Sequence, residues 1–198
     1  MIAAVLLAAG EGRRFGGGKL LADVNGRPMA ACAMDVLLEA PVDRRIAVVS
    51  DTQVGALARD RGFEIVLNDA PQLGLSRSIS LGLAFAQPCG AVLFAAADQP
   101  LLSVQSLKRL IAAYSTGGCG IACLRDGTHM GNPAVFSSAY FDELHALTGD
   151  RGAKGIIRAH PEDVLAVDCI SPDELADVDD PQTLKRLFGS GMLPQNRI

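Results

Sequence analysis

The sequence predicts an α/β fold, a Rossmann-like three-layer α/β/α sandwich around a mostly parallel sheet. Three observations point there. Residues 2–9 (IAAVLLAA) form an unbroken apolar run that leads straight into glycines. Short apolar runs then alternate with helix-spaced stretches as far as about residue 117, the pattern that puts helices on both faces of a parallel sheet. Apolar residues make up 49% of the chain and charged ones 20%, which suits a packed core with tight loops rather than a disordered chain.

Each element follows in order. Residues 2–9 read as a central strand, because a continuous apolar run lacks the alternation of a half-exposed one. Pro28 fits the first turn of a helix reaching about Ala40, where its missing N–H costs nothing. A strand at 45–50 (RIAVVS), a short helix to about Arg61 and a strand at 63–67 (FEIVL) come next. A polar loop, 68–75, leads into a helix over 76–87. The run 90–97 (GAVLFAAA) is another buried strand, ending at Asp98, and Ser103 can cap a helix to Tyr114. Beyond 117 the reading gives strands near 120–124, 133–136 and 164–168, with helices near 138–147, 152–160 and 181–188. One domain over 1–188 is expected, with 189–198 as a C-terminal tail.

Composition excludes several classes. Trp is absent and aromatics are 5%, so stacking platforms for single-stranded nucleic acid are not expected. The net charge is −4 with no basic tract, which leaves no nucleic-acid partner and requires any anionic ligand to be held by a local site. The five cysteines are odd in number and irregular in spacing. They read as small buried hydrophobes rather than zinc ligands, and free thiols suit a cytoplasmic setting. The apolar N-terminus lacks a basic flank and reads as a strand, not a signal peptide. No apolar run approaches the roughly 20 residues of a spanning helix, so no membrane partner is expected.

The most informative stretch is LLAAGEGRRFGGGKLL, residues 6–21. A buried strand delivers a loop containing Gly10, Gly12, Gly16, Gly17 and Gly18. Glycines let backbone N–H groups approach a phosphate closely, and Arg13, Arg14 and Lys19 add fixed positive charge. Two common phosphate motifs fail. GxGxxG would need glycine at Phe15, and GxxxxGK[ST] would need glycine at Arg13 and a hydroxyl at Leu20.

This stretch resembles the LAAGxSxRMGxxK signature of the MobA-like nucleotidyltransferases, with Leu7, Ala8, Ala9, Gly10, Arg14, Gly16 and Lys19 in register. The family's Ser is Gly12 here and its Met is Phe15. The likeness continues along nearly the whole chain. Residues 68–83 resemble the family's base-binding segment and 97–102 (ADQPLL) its metal-binding turn. Residues 131–136 (GNPAVF), 149–154 (GDRGAK) and 177–184 (DVDDPQTL) resemble three later blocks. The branch most alike is the molybdenum cofactor cytidylyltransferases. The resemblance implies a nucleotide-diphospho-sugar transferase type of fold and Mg²⁺ as cofactor. It implies CTP and a molybdopterin-type cofactor as substrates, a cytosine dinucleotide cofactor and pyrophosphate as products, and a molybdoenzyme as recipient. It places Ala8, Ala9, Gly10 and Gly12 against the nucleotide, with Arg14 and Lys19 as the catalytic cations. Three alternatives stand beside this: a GTP-using guanylyltransferase, a different phosphate acceptor, and a non-catalytic cofactor-binding or delivery protein.

Asp98 ends a buried strand, where open α/β sheets place ligands. By residue type alone it is equally a metal ligand or a turn residue before Pro100; the resemblance makes it a metal ligand. A second carboxylate comes from Asp177, Asp179 or Asp180. Asp180 precedes Pro181 and suits an N-cap, which leaves Asp179 as the ligand and Asp177 in reserve. All three could instead simply favour a helix N-terminus.

Gly74, Ser76 and Ser78 surround a helix start, where hydroxyls and exposed N–H groups can read a base edge; Ser76 could equally be an ordinary N-cap. Asn132, Asp150, Arg151 and Lys154 fall toward the acceptor side, the last two suiting an anionic acceptor or else a solvated turn. His129, His145 and His160 show no triad spacing, and no GxSxG is present.

Overall fold

The computed structural model describes residues 1–10 and 12–189. In chain order, β1 spans Ile2–Ala8, β2 Asp23–Val24, β3 Arg27–Pro28, α1 Met29–Leu38, β4 Arg44–Val49, α2 Thr52–Arg59 and β5 Glu64–Leu67. Then follow α3 Leu75–Ala86, β6 Ala91–Ala96, α4 Val104–Gly117, β7 Ile121–Asp126, β8 His129–Ser137, α5 Phe141–His145, α6 Lys154–Ala159, β9 Val164–Asp168 and α7 Pro181–Phe188.

Seven strands form one sheet in the order β5-β4-β1-β6-β8-β7-β9. β1 lies parallel between β4 and β6, and β5 and β9 also pair in parallel; only β8 runs antiparallel to its neighbours β6 and β7. Because side chains alternate along a strand, β1 serves two cores. Ala4, Leu6 and Ala8 face a layer with Met34 and Leu37 of α1, Val54 of α2 and Leu110 of α4. Ala3, Val5 and Leu7 face a layer with Ile79 and Leu83 of α3, Leu144 of α5 and Ile157 of α6. This is the mostly parallel α/β/α sandwich expected from the strand–helix alternation, and it explains why the first strand is apolar throughout.

Three details differ from expectation. Pro28 precedes α1 instead of opening it: it ends β3, with ψ at 141°. β2 and β3 pair across Asn25 and Gly26, both at positive φ (53° and 87°), a two-residue turn that Asn-Gly strongly favours. β8 is longer than the expected 133–136, because a tight hairpin through Gly127 joins it to β7. The pairing steps from Cys123–Ala134 to Leu124–Gly131, so Asn132 and Pro133 bulge out of the ladder at the site-facing end. Of the expected tail, 189–198, all but Gly189 lies outside the described residues.

A third, small cluster positions the site. Ala22, Val24, Met29 and Cys32 pack with Val178 and Leu184, and Phe15, Leu187 and Phe188 close around them. The glycine loop near the start of the chain is thereby fastened to α7 near its end. None of the described helices is long and apolar enough to cross a membrane.

Candidate active site

A cavity of about 630 Å³ opens where β1 and β6 end. That is the edge of an open α/β sheet where loops, rather than side chains, fill the space. On one side stands the glycine loop, in which Gly12, Gly16, Gly17 and Gly18 all take positive φ (58°, 81°, 95° and 63°). A side chain at any of these positions would be strained, and the loop closes on itself where Phe15 N and Gly17 N donate to Gly12 O. Gly18 sets up the short turn Lys19–Leu21, which aims Lys19 inward.

The Lys19 ammonium donates to two carboxylates, Asp98 Oδ2 at 2.7 Å and Asp179 Oδ1 at 2.8 Å. Arg14 Nη1 reaches Asp179 Oδ2 at 3.4 Å. The Lys19 side chain is 10% exposed, whereas Arg14 is 79% exposed, so the first ion pair is the shielded one and the second is screened by water. Burial lowers the Lys19 pKa, but the charges and hydrogen bonds of Asp98 and Asp179 outweigh it and hold the ammonium above its usual range. Lys19 is therefore a cation at any working pH.

Backbone contacts hold these groups in register. Val178 N donates to Asp98 O at 3.0 Å, pinning the 177–180 segment beside the end of β6. Glu174, 1% exposed, accepts from Ser103 N and Ser171 N, which fastens the preceding loop to the start of α4. Asp180 Oδ1 accepts from Thr183 N at 2.8 Å, so its carboxylate is committed to capping α7 as its place before Pro181 implied. Asp177 also lines the cavity and accepts from Gln99 Nε2 at 3.0 Å. Desolvation first, then the Asp98 charge, raises its pKa, against the Gln99 hydrogen bond and Lys154.

The opposite wall comes from two segments in contact. Gly74 has φ of 93°, and a Cβ there would collide with the Gly149 carbonyl. Only glycine lets the start of α3 meet the 149–154 turn, and Ser76 N donates to Gly149 O at 3.0 Å across the joint. Ser78 Oγ faces the cavity and accepts from the Asn68 amide at 3.0 Å, which leaves its own hydrogen to donate elsewhere. Asn132 on the β8 bulge, Asp150 and Lys154 complete this side.

The structure thus brings Ala9, Gly10, Gly12, Arg14, Lys19, Gly74, Ser78, Asp98, Asn132, Asp150, Lys154 and Asp179 to one cavity, with Asp177 among them. Three expected site residues stand apart from its lining. Ala8 points into the α1/α2/α4 core, because it alternates with Leu7 and Ala9. Ser76 is buried, 6% exposed, and its N–H is used on Gly149. Arg151 is exposed outside the lining. Gln99, 4% exposed, was not singled out in the sequence although it lies in the ADQP turn. Its Nε2 binds Leu175 O and Asp177, while its buried Oε1 has no partner. Gly131 was also missed: a Cβ there would stand 2.6 Å from Lys154 Cε, so glycine gives that lysine its path over β8. Its signal is a glycine inside a strand, which marks close approach.

The donor set fits Mg²⁺. Two carboxylates from separate segments converge on one cation-sized point, and hard oxygens suit that ion. Among the described residues no three or more His, Cys, Asp or Glu side chains form a cage of their own. A cation here would therefore complete its shell with water and phosphate oxygens, which is how Mg²⁺ is usually held.

Known proteins resemble this chain in sequence and in fold. The chain is similar to a Pyrococcus horikoshii protein named probable molybdenum cofactor guanylyltransferase, with 30% identity over 158 residues, 78% of this chain and 77% of that one. It is also similar to nicotine blue oxidoreductase of Paenarthrobacter nicotinovorans, 29% identical over 196 residues, 94% of this chain and 96% of that one. A Mycobacterium tuberculosis H37Rv protein solved in complex with manganese superposes with a TM-score of 0.75 at 27% identity, covering 96% of this chain and 98% of that one. The family model for the MobA-like NTP transferase domain matches residues 4–164, and the chain belongs to that family.

Proposed function

We propose that this protein is a Mg²⁺-dependent cytidylyltransferase that joins CTP to the phosphate of a molybdopterin-type cofactor and releases pyrophosphate. The observation that carries the proposal is the Lys19–Asp98–Asp179 cluster at the root of a glycine-rich anion loop, facing a second cationic pole at Lys154 across the same cavity. One pole suits the triphosphate and the other an anionic acceptor.

The chemistry asks little of side chains as acids or bases. A phosphate monoester has a second pKa near ~6 and is already largely dianionic at neutral pH, so it can attack the α-phosphorus without a general base. The P–O bond to the β-phosphate breaks as the new one forms, and pyrophosphate carries the electron pair away. Catalysis then rests on alignment and on neutralising charge. Lys19 and Arg14 bind the phosphates, and the glycine-loop N–H groups cradle them. Asp98 and Asp179 would hold the Mg²⁺, whose charge would further neutralise the triphosphate. Lys154 and Asn132 hold and orient the acceptor phosphate, and Asp150 borders it.

Ala9 supports CTP over GTP. By the family resemblance, LAAG at residues 7–10 matches the cytidylyl branch, where guanylyl members carry LAGG. The guanylyl reading has its own support in the name of the Pyrococcus relative. Pyrophosphate release with purified protein, Mg²⁺ and a molybdopterin-type acceptor separates the readings. CTP should support release well above GTP; a preference for GTP moves the chain to the guanylyl branch. No release with either nucleotide would leave a different phosphate acceptor, or binding and delivery, as the function.

A further inference from the structure

We infer that Lys19 is an internal stand-in for the divalent cation, so that the metal enters this site only together with a polyphosphate that draws the lysine away. The inference rests on the reading of Asp98 and Asp179 as the cation's ligands.

The Lys19 ammonium sits 2.7 Å from one carboxylate and 2.8 Å from the other, and these belong to segments 79 and 160 residues away in the chain. Both are lengths of strong charge-assisted hydrogen bonds. A cation bridging the same two oxygens needs the space that the ammonium fills, since Mg–oxygen bonds are shorter still, about 2.0–2.1 Å. The two positive charges therefore compete for one point. Arg14 does not compete in this way, because it approaches Asp179 alone, from its outer oxygen, at 3.4 Å and largely in solvent.

The lysine has somewhere to go. Its stem rises from the turn after Gly18 and lies against Gly12, where a Cβ would meet the Lys19 Cβ at 2.9 Å. The ammonium thus sits at the end of a four-carbon stem beside the glycine loop. Side-chain rotation alone can take it from the carboxylates toward phosphates in that loop. When a metal–polyphosphate binds, the carboxylates exchange an ammonium for a divalent cation and the ammonium exchanges carboxylates for phosphate. With the metal alone, the second exchange is missing. Metal and polyphosphate affinities are then coupled beyond direct chelation, and the coupling is reciprocal.

Mn²⁺ binding followed by electron paramagnetic resonance at pH 8 tests this. The proteins are wild type, Lys19→Met and Arg14→Met, each with and without CTP or inorganic tripolyphosphate. Without polyphosphate, Lys19→Met should bind Mn²⁺ about tenfold or more tighter than wild type. Arg14→Met, which removes the same charge without clearing the point, should change it far less. Polyphosphate should tighten Mn²⁺ binding strongly in wild type and much less in Lys19→Met. Thermal melts give a second readout: Lys19→Met should melt lower in EDTA and recover with Mn²⁺ more than wild type gains. Equal affinities of wild type and Lys19→Met, or an equal gain in Arg14→Met, would overturn the inference. Asp98→Asn and Asp179→Asn, titrated with CTP present, test the underlying reading separately. If neither weakens Mn²⁺ binding, the ligand assignment fails. If both do but Lys19→Met is no tighter, only the stand-in role fails.

Discussion

Lys19→Ala and Arg14→Ala should each lower turnover on the order of 100-fold. Both are legible in the sequence, because three cations amid glycines after a buried strand have few structural uses. Gln99 and Gly131 are not, because their importance lies in a partner, Asp177 in one case and Lys154 in the other, that is distant in sequence. Arg14→Ala should leave the melting temperature unchanged, because its ion pair is solvent-screened; near-native kcat/KM in the Lys19→Ala protein would remove the phosphate assignment. Ala9 is buried, with its carbonyl accepting from Ser50 Oγ at 3.2 Å and its methyl in the layer shared with α3. Bulk alone discriminates by about 1–3 kcal/mol. Ala9→Gly should therefore narrow a preference for CTP over GTP without inverting it, as competition kinetics at matched Mg²⁺ would measure.

At the scale of elements, periodicity located nearly every helix and strand, because each half of the sandwich buries its own apolar stripe. What it could not supply was direction and joinery. β8 is antiparallel, and its bulge at Asn132 depends on a register shift against β7 that no local pattern encodes. The Asn-Gly turn between β2 and β3 was legible in principle, but the two-residue strands flanking it carry no periodicity. Caps were more readable. Asp180→Ala should lower Tm by roughly 2–4 °C through loss of the α7 cap while keeping turnover. Asp179→Ala, one residue earlier, should abolish metal-dependent turnover with the fold intact. If the two phenotypes exchange, the carboxylate roles are reversed. A second joint lies at Asp163, which accepts from Tyr140 Oη at 2.6 Å and Gly120 N at 2.8 Å, tying the starts of β7 and β9 together. The Tyr140 hydrogen bond, and then that of Gly120, hold the Asp163 pKa below the usual carboxylate range, while the same bond pushes Tyr140 up to about 12. Stability from a depressed carboxylate is present above its unfolded pKa and is lost as pH falls through the folded one. Tyr140→Phe should thus lower the melting midpoint at pH 7, with the gap to wild type closing on acidification. A gap independent of pH would assign the loss to packing.

For the molecule as a whole, the small cluster joining Phe15 to α7 matters more than its size suggests. The sheet is complete by β9, yet the small cluster, Asp179 and one member of a main core, Leu175, depend on residues beyond it. Lys19 and Asp179 stand 160 residues apart. On the proposed function, the centre is therefore complete only when α7 and the segment before it are docked against the glycine loop. Docking of α7 and capture of a metal–nucleotide should then favour each other by mass action. Hydrogen exchange gives the measure. Mn²⁺ with CTP should slow exchange of the α7 amides more than those of the buried β1 strand, whereas uniform slowing across the sheet would show that α7 is no more tightly linked to the ligand than the rest of the fold.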